Sequence, residues 1–320
     1  LLAGTTITQN LDGVGGSINA GTLILGRCAS CTGTPSINLT NANNQISQVQ
    51  ASNIGAISLT SGVGLTVNAN GIASSGAVQL SSSTHINLSG NINTTGGGIT
   101  ITAQSITQAA GVSVNTSGAN IAYTASGLAT TASIDNAIRI GDHTGSRSTL
   151  NANGGNITLQ GSYGSTGTAG DFDSAVSIFG ADIRTSGAGA ISITGDGSNS
   201  LTATIKSVFG ININRDTLIQ SQSGAIQLTG IGGRASNNSR GFVIDASGAR
   251  LLSASGAITI RDQQPSITIA GYNYSGLYLR PGSASDAHIF IGADGSNVTS
   301  SSSNITIQSD RLTFDANGSS

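Results

Sequence analysis

Tryptophan, methionine and glutamate are missing from this chain of 320 residues, and lysine occurs once, as Lys206. Phe (6) and Tyr (5) are scarce, so the interior cannot rest on aromatic rings as a compact globule of this size normally does. With Glu and Met gone and a single Lys, most strong helix formers are lost, while Ile, Val, Thr, Ser and Asn abound. Helix is nearly excluded. Charged residues make up 8%, against roughly a quarter in ordinary soluble domains. That scarcity does not imply disorder, which requires low hydrophobicity and high net charge; here the apolar fraction is 37% and the net charge −2. The same near-neutrality gives no electrostatic case for nucleic acid or a membrane surface. No apolar run approaches the ~18 residues that cross a bilayer, so membrane insertion is not expected. Leu1-Leu2-Ala3-Gly4 forms no signal peptide and there is no initiator Met, and the chain is expected to be an interior piece of a longer protein.

What is abundant is repetition. A hexad recurs: Gly, a small residue, Ile or Val, polar, Leu or Ile, polar. It reads PSINLT from Pro35, GAISLT from Gly55, GAVQLS from Gly76, GGITIT from Gly97 and, more loosely, GANIAYT from Gly118. It returns as GNITLQ from Gly155, GAISIT from Gly189, GAIQLT from Gly224, GAITIR from Gly256 and SNITIQ from Ser303. Alternation of apolar and polar positions marks strands with one buried and one wet face. Starts at 35, 55, 76, 97 and 118 are 20 or 21 apart, and those at 118, 155, 189, 224 and 256 are 32 to 37 apart. A strand returning at such intervals with no helix between suits a solenoid coil, whereas a sandwich would show tight hairpin turns. The expected fold is all-β: a right-handed, single-stranded parallel β-helix whose interior stacks Ile, Leu, Val and Ala.

Two zones follow from the spacing. Residues 1–117 form minimal coils of about 21 residues, and 118–320 form wider coils of about 32 to 37, in one continuous solenoid. The wide coils carry a second motif at Val176, Ile211, Val243 and Leu277, spaced 35, 32 and 34 residues apart. Segments such as Gly161 to Asp171 and Gly230 to Gly241 read as loops on one flank, where solenoids commonly bind. The hexad register is lost between Thr124 and Ala152 and after Pro281. Charge follows the same division: of 12 basic and 14 acidic residues, only Asp12 and Arg27 precede Asp135.

The hexads GAISLT and GAITIR, and the stretch Val176-Ser177-Ile178 through Ala181-Asp182-Ile183-Arg184 to Ala190-Ile191, resemble filamentous-haemagglutinin-type exoproteins, the large adhesins exported by two-partner secretion. The resemblance runs from about Ser17 to Ile307, and the family's amino-terminal secretion domain is not recognisable. It implies an extracellular rod on the bacterial cell surface, used for attachment, aggregation or biofilm. Its implied partners are an outer-membrane secretion pore and glycans or proteins of a host or neighbouring cell. Some autotransporter passengers share such coils.

Chemistry is sparse. Cys28-Ala29-Ser30-Cys31 supplies only two sulfurs with no His nearby, which rules against a zinc site and favours a disulfide closing a loop between two early coils. Such a bond suits an oxidising compartment. Asp171 and Asp173 share a strand face with Arg184 eleven residues on, a set that a polysaccharide-active β-helix enzyme could use. With no Trp and acids scattered about one per coil, they read better as surface-binding loop residues together with Arg234 and Arg240. His85, His143 and His288 show no metal spacing, and no cofactor is expected. Asn-x-Ser/Thr triplets at Asn38, Asn87, Asn93, Asn115, Asn156, Asn273, Asn297 and Asn304 are candidates for glycosylation. A structural rod is the leading function, a self-assembling filament subunit the first alternative and an enzyme the second.

Overall fold

The computed structural model describes residues 2–3, 6–9, 16–129, 136–142, 145–165, 173–198, 207–233, 238–245, 248–263, 276–280, 290–292 and 304–314. Among them there are strands and turns and no helix, and every strand pairing is parallel. Each coil visits three faces in a fixed order. The ten hexads, preceded by strand Thr6–Thr8, form an eleven-stranded stack, the hexad face. The second face is reached next, as in Ser105–Gln108, and the third after it, as in Ser113–Asn115. In the earliest coils one long strand covers both, for example Gln45–Ile54 and Leu65–Ser74. Leu65–Ser74 then pairs with His85–Leu88 through its first half and Ile92–Thr94 through its second, and the two faces separate. Long parallel strands stacked on three faces, with no closed barrel, are consistent with a β-helix solenoid.

The hexad alternation builds the core directly. Ile37, Ile57, Val78, Ile99, Ile121, Ile157, Ile191, Ile226, Ile258 and Ile305 pair in one continuous column. A second column of Leu39, Leu59, Leu80, Ile101, Tyr123, Leu159, Ile193, Leu228, Ile260 and Ile307 lies beside it. Side chains from the three faces merge into a single buried cluster.

The register corrects the sequence spacing at one place. Ile121 pairs with Ile99 and with Ile157, so the flanking intervals are 22 and 36 rather than the 21 and 37 read from a start at Gly118. Gly118, at φ +94°, belongs to the preceding turn, and Ala119 takes the place of the hexad glycine. Elsewhere that glycine answers to close approach between coils: a Cβ on Gly97 would fall on the backbone of Ala77, and one on Gly224 on the carbonyl of Gly189. Hydroxyls fill the same corner. Thr116 Oγ1 donates to Ala119 O (2.5 Å), Thr185 Oγ1 to Gly155 O (2.6 Å) and Ser221 Oγ to Gly224 O (2.5 Å), satisfying carbonyls that the parallel ladder leaves over.

From Ile121 to Asp245 most of the extra residues of the wide coils enter where the hexad face passes to the second face. That corner is Gln104 alone between Ile99–Ala103 and Ser105–Gln108, but residues 197–206 between Ile191–Asp196 and Ser207–Asn214. A Cβ on Gly195 would touch Gly210 O, and one on Gly230 would touch Gly241 O. Each insertion therefore leaves and re-enters the coil at one point, as an Ω-loop does, and the flank expected from the sequence is this corner. The second motif needs a correction by one residue. Ile211 pairs with Phe242, and Val243 pairs with Asn212. Phe242 joins the interior, and Val243 stands on the outer side with Phe209 and Tyr278, because a one-residue slip turns every side chain to the other face.

Candidate functional site

Cys28 and Cys31 form a disulfide, and Cys31 N donates to Cys28 O (3.1 Å). The bond closes the turn between strand Asn19–Arg27 and Ser36–Leu39, the hexad strand that opens the next coil. Of the sequence candidates for surface binding, Arg184 and Arg240 stand on strands of different coils. Asp171 and Arg234 lie outside the described residues, as do His143 and His288, and Asp173 opens strand Asp173–Phe179. Arg240 stacks its guanidinium 3.7 Å above the Tyr278 ring, and Arg139 lies 5.5 Å from the Phe179 ring. His85 is exposed on its strand. Arg184 alone takes part in a built constellation.

That constellation crosses three coils. Arg147, just before strand Ser148–Asn151, pairs through Nη2 with Asp182 of the next coil and through Nη1 with Asp216 of the coil after it (2.6 Å). Arg184 Nη2 donates to the other Asp182 oxygen (2.7 Å). Burial works against the charged Arg147, but the hydrogen bonds it donates to Asp182 and Asp216 and their charges outweigh it and hold the guanidinium above its ordinary pKa. Asp182 is thus committed to two arginines. A carboxylate so engaged is not available as a general acid or base.

Beside it lies a groove of about 480 Å³ on the third face and the turn that returns to the hexad face, lined by Asn151, Arg184, Thr185, Ser221 and Gln222 among others. Asn151, Arg184 and the hexad-facing turns come together because the third-face strands are in register: Asn151 pairs with Arg184, and Arg184 with Gln220. This site is not at the looped corner. Counting back six or seven residues from each hexad isoleucine would have lined these residues up, but only a register fixed across the coils makes that count meaningful.

The second face behaves differently in the wide coils. Its outward residues Ser177, Asn212, Val243 and Tyr278 are all buried, whereas Asn87 and Thr107 of the narrow coils are partly exposed. Ser177 Oγ donates to Asn136 Oδ1 (2.6 Å), while Ser174 Oγ and Asn212 Oδ1 are buried with no hydrogen-bond partner. Among the described residues, no three His, Cys, Asp or Glu side chains gather as a metal site would require, and no helix is long and apolar enough to cross a membrane. The chain matches no protein-family model, no curated protein and no solved structure.

Proposed function

We propose that this chain is a stretch of right-handed parallel β-helix that serves as the stalk of a secreted bacterial surface protein of the filamentous-haemagglutinin kind. In this reading the rod leaves the cell by two-partner secretion through an outer-membrane pore. It projects an adhesive surface toward glycans or proteins of a host or neighbouring cell. The observation that carries the proposal is the unbroken stack of eleven strands on the hexad face, whose outward positions from Asn38 to Thr229 hold a single charge, Asp196. Neutral polar columns stack without like-charge repulsion and cannot collapse onto one another, so such a chain gains length rather than bulk. The Cys28–Cys31 bond fits an extracellular setting.

Eleven strands at the usual inter-strand spacing give a rod roughly 50 Å long. Small-angle scattering on the 320-residue chain should return an elongated particle of at least that length, and a compact globule would refute the stalk. Deleting the coding region should reduce cell attachment or aggregation. A filament subunit is the second reading. Concentration-dependent fibres in electron micrographs would support it, and strictly single rods would count against it.

A further inference from the structure

We propose that the groove between Asn151 and Gln222 is a binding site for a carboxylate-bearing saccharide. The inference rests on the adhesive-rod reading above and deepens it by naming a site and a ligand class.

The groove keeps several hydrogen-bond donors open to a ligand. Asn151 Oδ1 accepts from Asn153 N (3.1 Å) and Gln222 Oε1 accepts from Gly187 N (2.8 Å). Both amide oxygens are therefore spent on the turns that build the wall, and what each side chain has left to offer is its NH₂ group. The hydroxyls are spent as well: Thr185 Oγ1 donates to Gly155 O (2.6 Å) and Ser221 Oγ to Gly224 O (2.5 Å). Arg184 gives one Nη2 bond to Asp182 and is 45% exposed, which leaves further guanidinium N–H groups for a ligand. Among the described residues no acidic side chain lines the groove. Asn153 Nδ2 donates to Thr116 O (2.7 Å), which leaves its Oδ1 as an acceptor, so the wall presents two amide donors and one cation, with Asp182 behind that cation.

Such a surface selects a ligand rich in acceptors and carrying an anion. A guanidinium presents a planar fork that matches a carboxylate in two parallel bonds, and Asp182 holds Arg184 in place for that approach. The two amides flanking the fork suit ring and hydroxyl oxygens of the sugar. The lining offers no aromatic or large aliphatic side chain, which disfavours an apolar small molecule. The volume of about 480 Å³ lies within the range of small-ligand sites. Uronic-acid polymers and sialylated glycans share this chemistry, and the two are separated by experiment.

The test is isothermal titration of the whole 320-residue chain with oligogalacturonate, sialyllactose and, as a neutral control, a dextran oligosaccharide. Saturable binding to one or both acidic sugars and none to dextran supports the site, and the sugar that binds identifies the source. Arg184→Gln should weaken that binding about fivefold to tenfold, and Gln222→Ala should weaken it by a smaller factor. Arg139→Gln removes a cation from the second face, away from the groove lining, and should bind as the wild type does. Equal binding to dextran, no binding to either acidic sugar, or equal weakening by Arg139→Gln would each overturn the proposal. None of these outcomes alters the scattering dimensions, so a failed site is distinguishable from a failed stalk.

Discussion

The junction between narrow and wide coils depends on one buried phenol. Tyr123 replaces the aliphatic residue of its column, with Ile101 before it and Leu159 after it, and is fully buried. Its hydroxyl donates to Gln108 Oε1 (3.1 Å), and Gln108 Nε2 donates to Val112 O (2.8 Å) and Thr149 O (3.1 Å). Tyr123→Phe keeps the ring and strands one buried acceptor, which should cost about 1–2 kcal/mol. Gln108→Leu strands the phenol and withdraws a donor from two carbonyls, for about 2–4 kcal/mol. The double variant removes both partners of the shared bond and should cost less than the sum by about 1 kcal/mol. Amide hydrogen exchange in strands Ser105–Gln108 and Ile121–Ala125 is the suitable readout, because a solenoid need not unfold as one unit. Strict additivity would refute the bond as an energetic link between the coils. Alkali supplies a second arm. Burial raises the Tyr123 pKa far above its ordinary value of 10.0. The native state therefore keeps a proton that the unfolded chain releases. Stability from this group is complete below about pH 10 and is lost above it, by about 1.4 kcal/mol per pH unit. The wild type's advantage over Tyr123→Phe should shrink as pH rises past 10, and a constant advantage would show that the phenol is not desolvated.

Gly224→Val should destabilise by more than about 3 kcal/mol, since its Cβ would overlap the Gly189 carbonyl, and loss of protection in strands Ile191–Asp196 and Ile226–Ile231 would report it. Gly187→Ala, where a Cβ meets nothing but φ is +55°, should cost only about 1 kcal/mol in thermal denaturation. Replacing both Cys28 and Cys31 with Ser opens a loop with a sequence separation of 3, and should lower stability by no more than about 2 kcal/mol. Exchange confined to the turn after Arg27 is expected there. Arg147→Ala should cost below about 1 kcal/mol, because the guanidinium is 35% exposed and Asp216 is 61% exposed, and the difference should diminish in high salt.

By itself the sequence determined the strand class and the interior columns of the hexad face. The reason is that parallel coils repeat one local pattern: a six-residue alternation says which side is buried, and the intervals between copies say how much chain each turn uses. What only the tertiary structure decided is register between coils and everything that depends on it. Phe242 rather than Val243 faces inward because the second-face strands pair through Ile211, and no pattern within either segment alone discriminates them. The loops could be named from Gly161 and Gly230, but their common corner follows from backbone contact between Gly195 and Gly210 and between Gly230 and Gly241. Arg184 was legible as a candidate. Its partners were not, since Asn151 and Gln222 lie in other coils and meet it only when stacked at the ladder spacing.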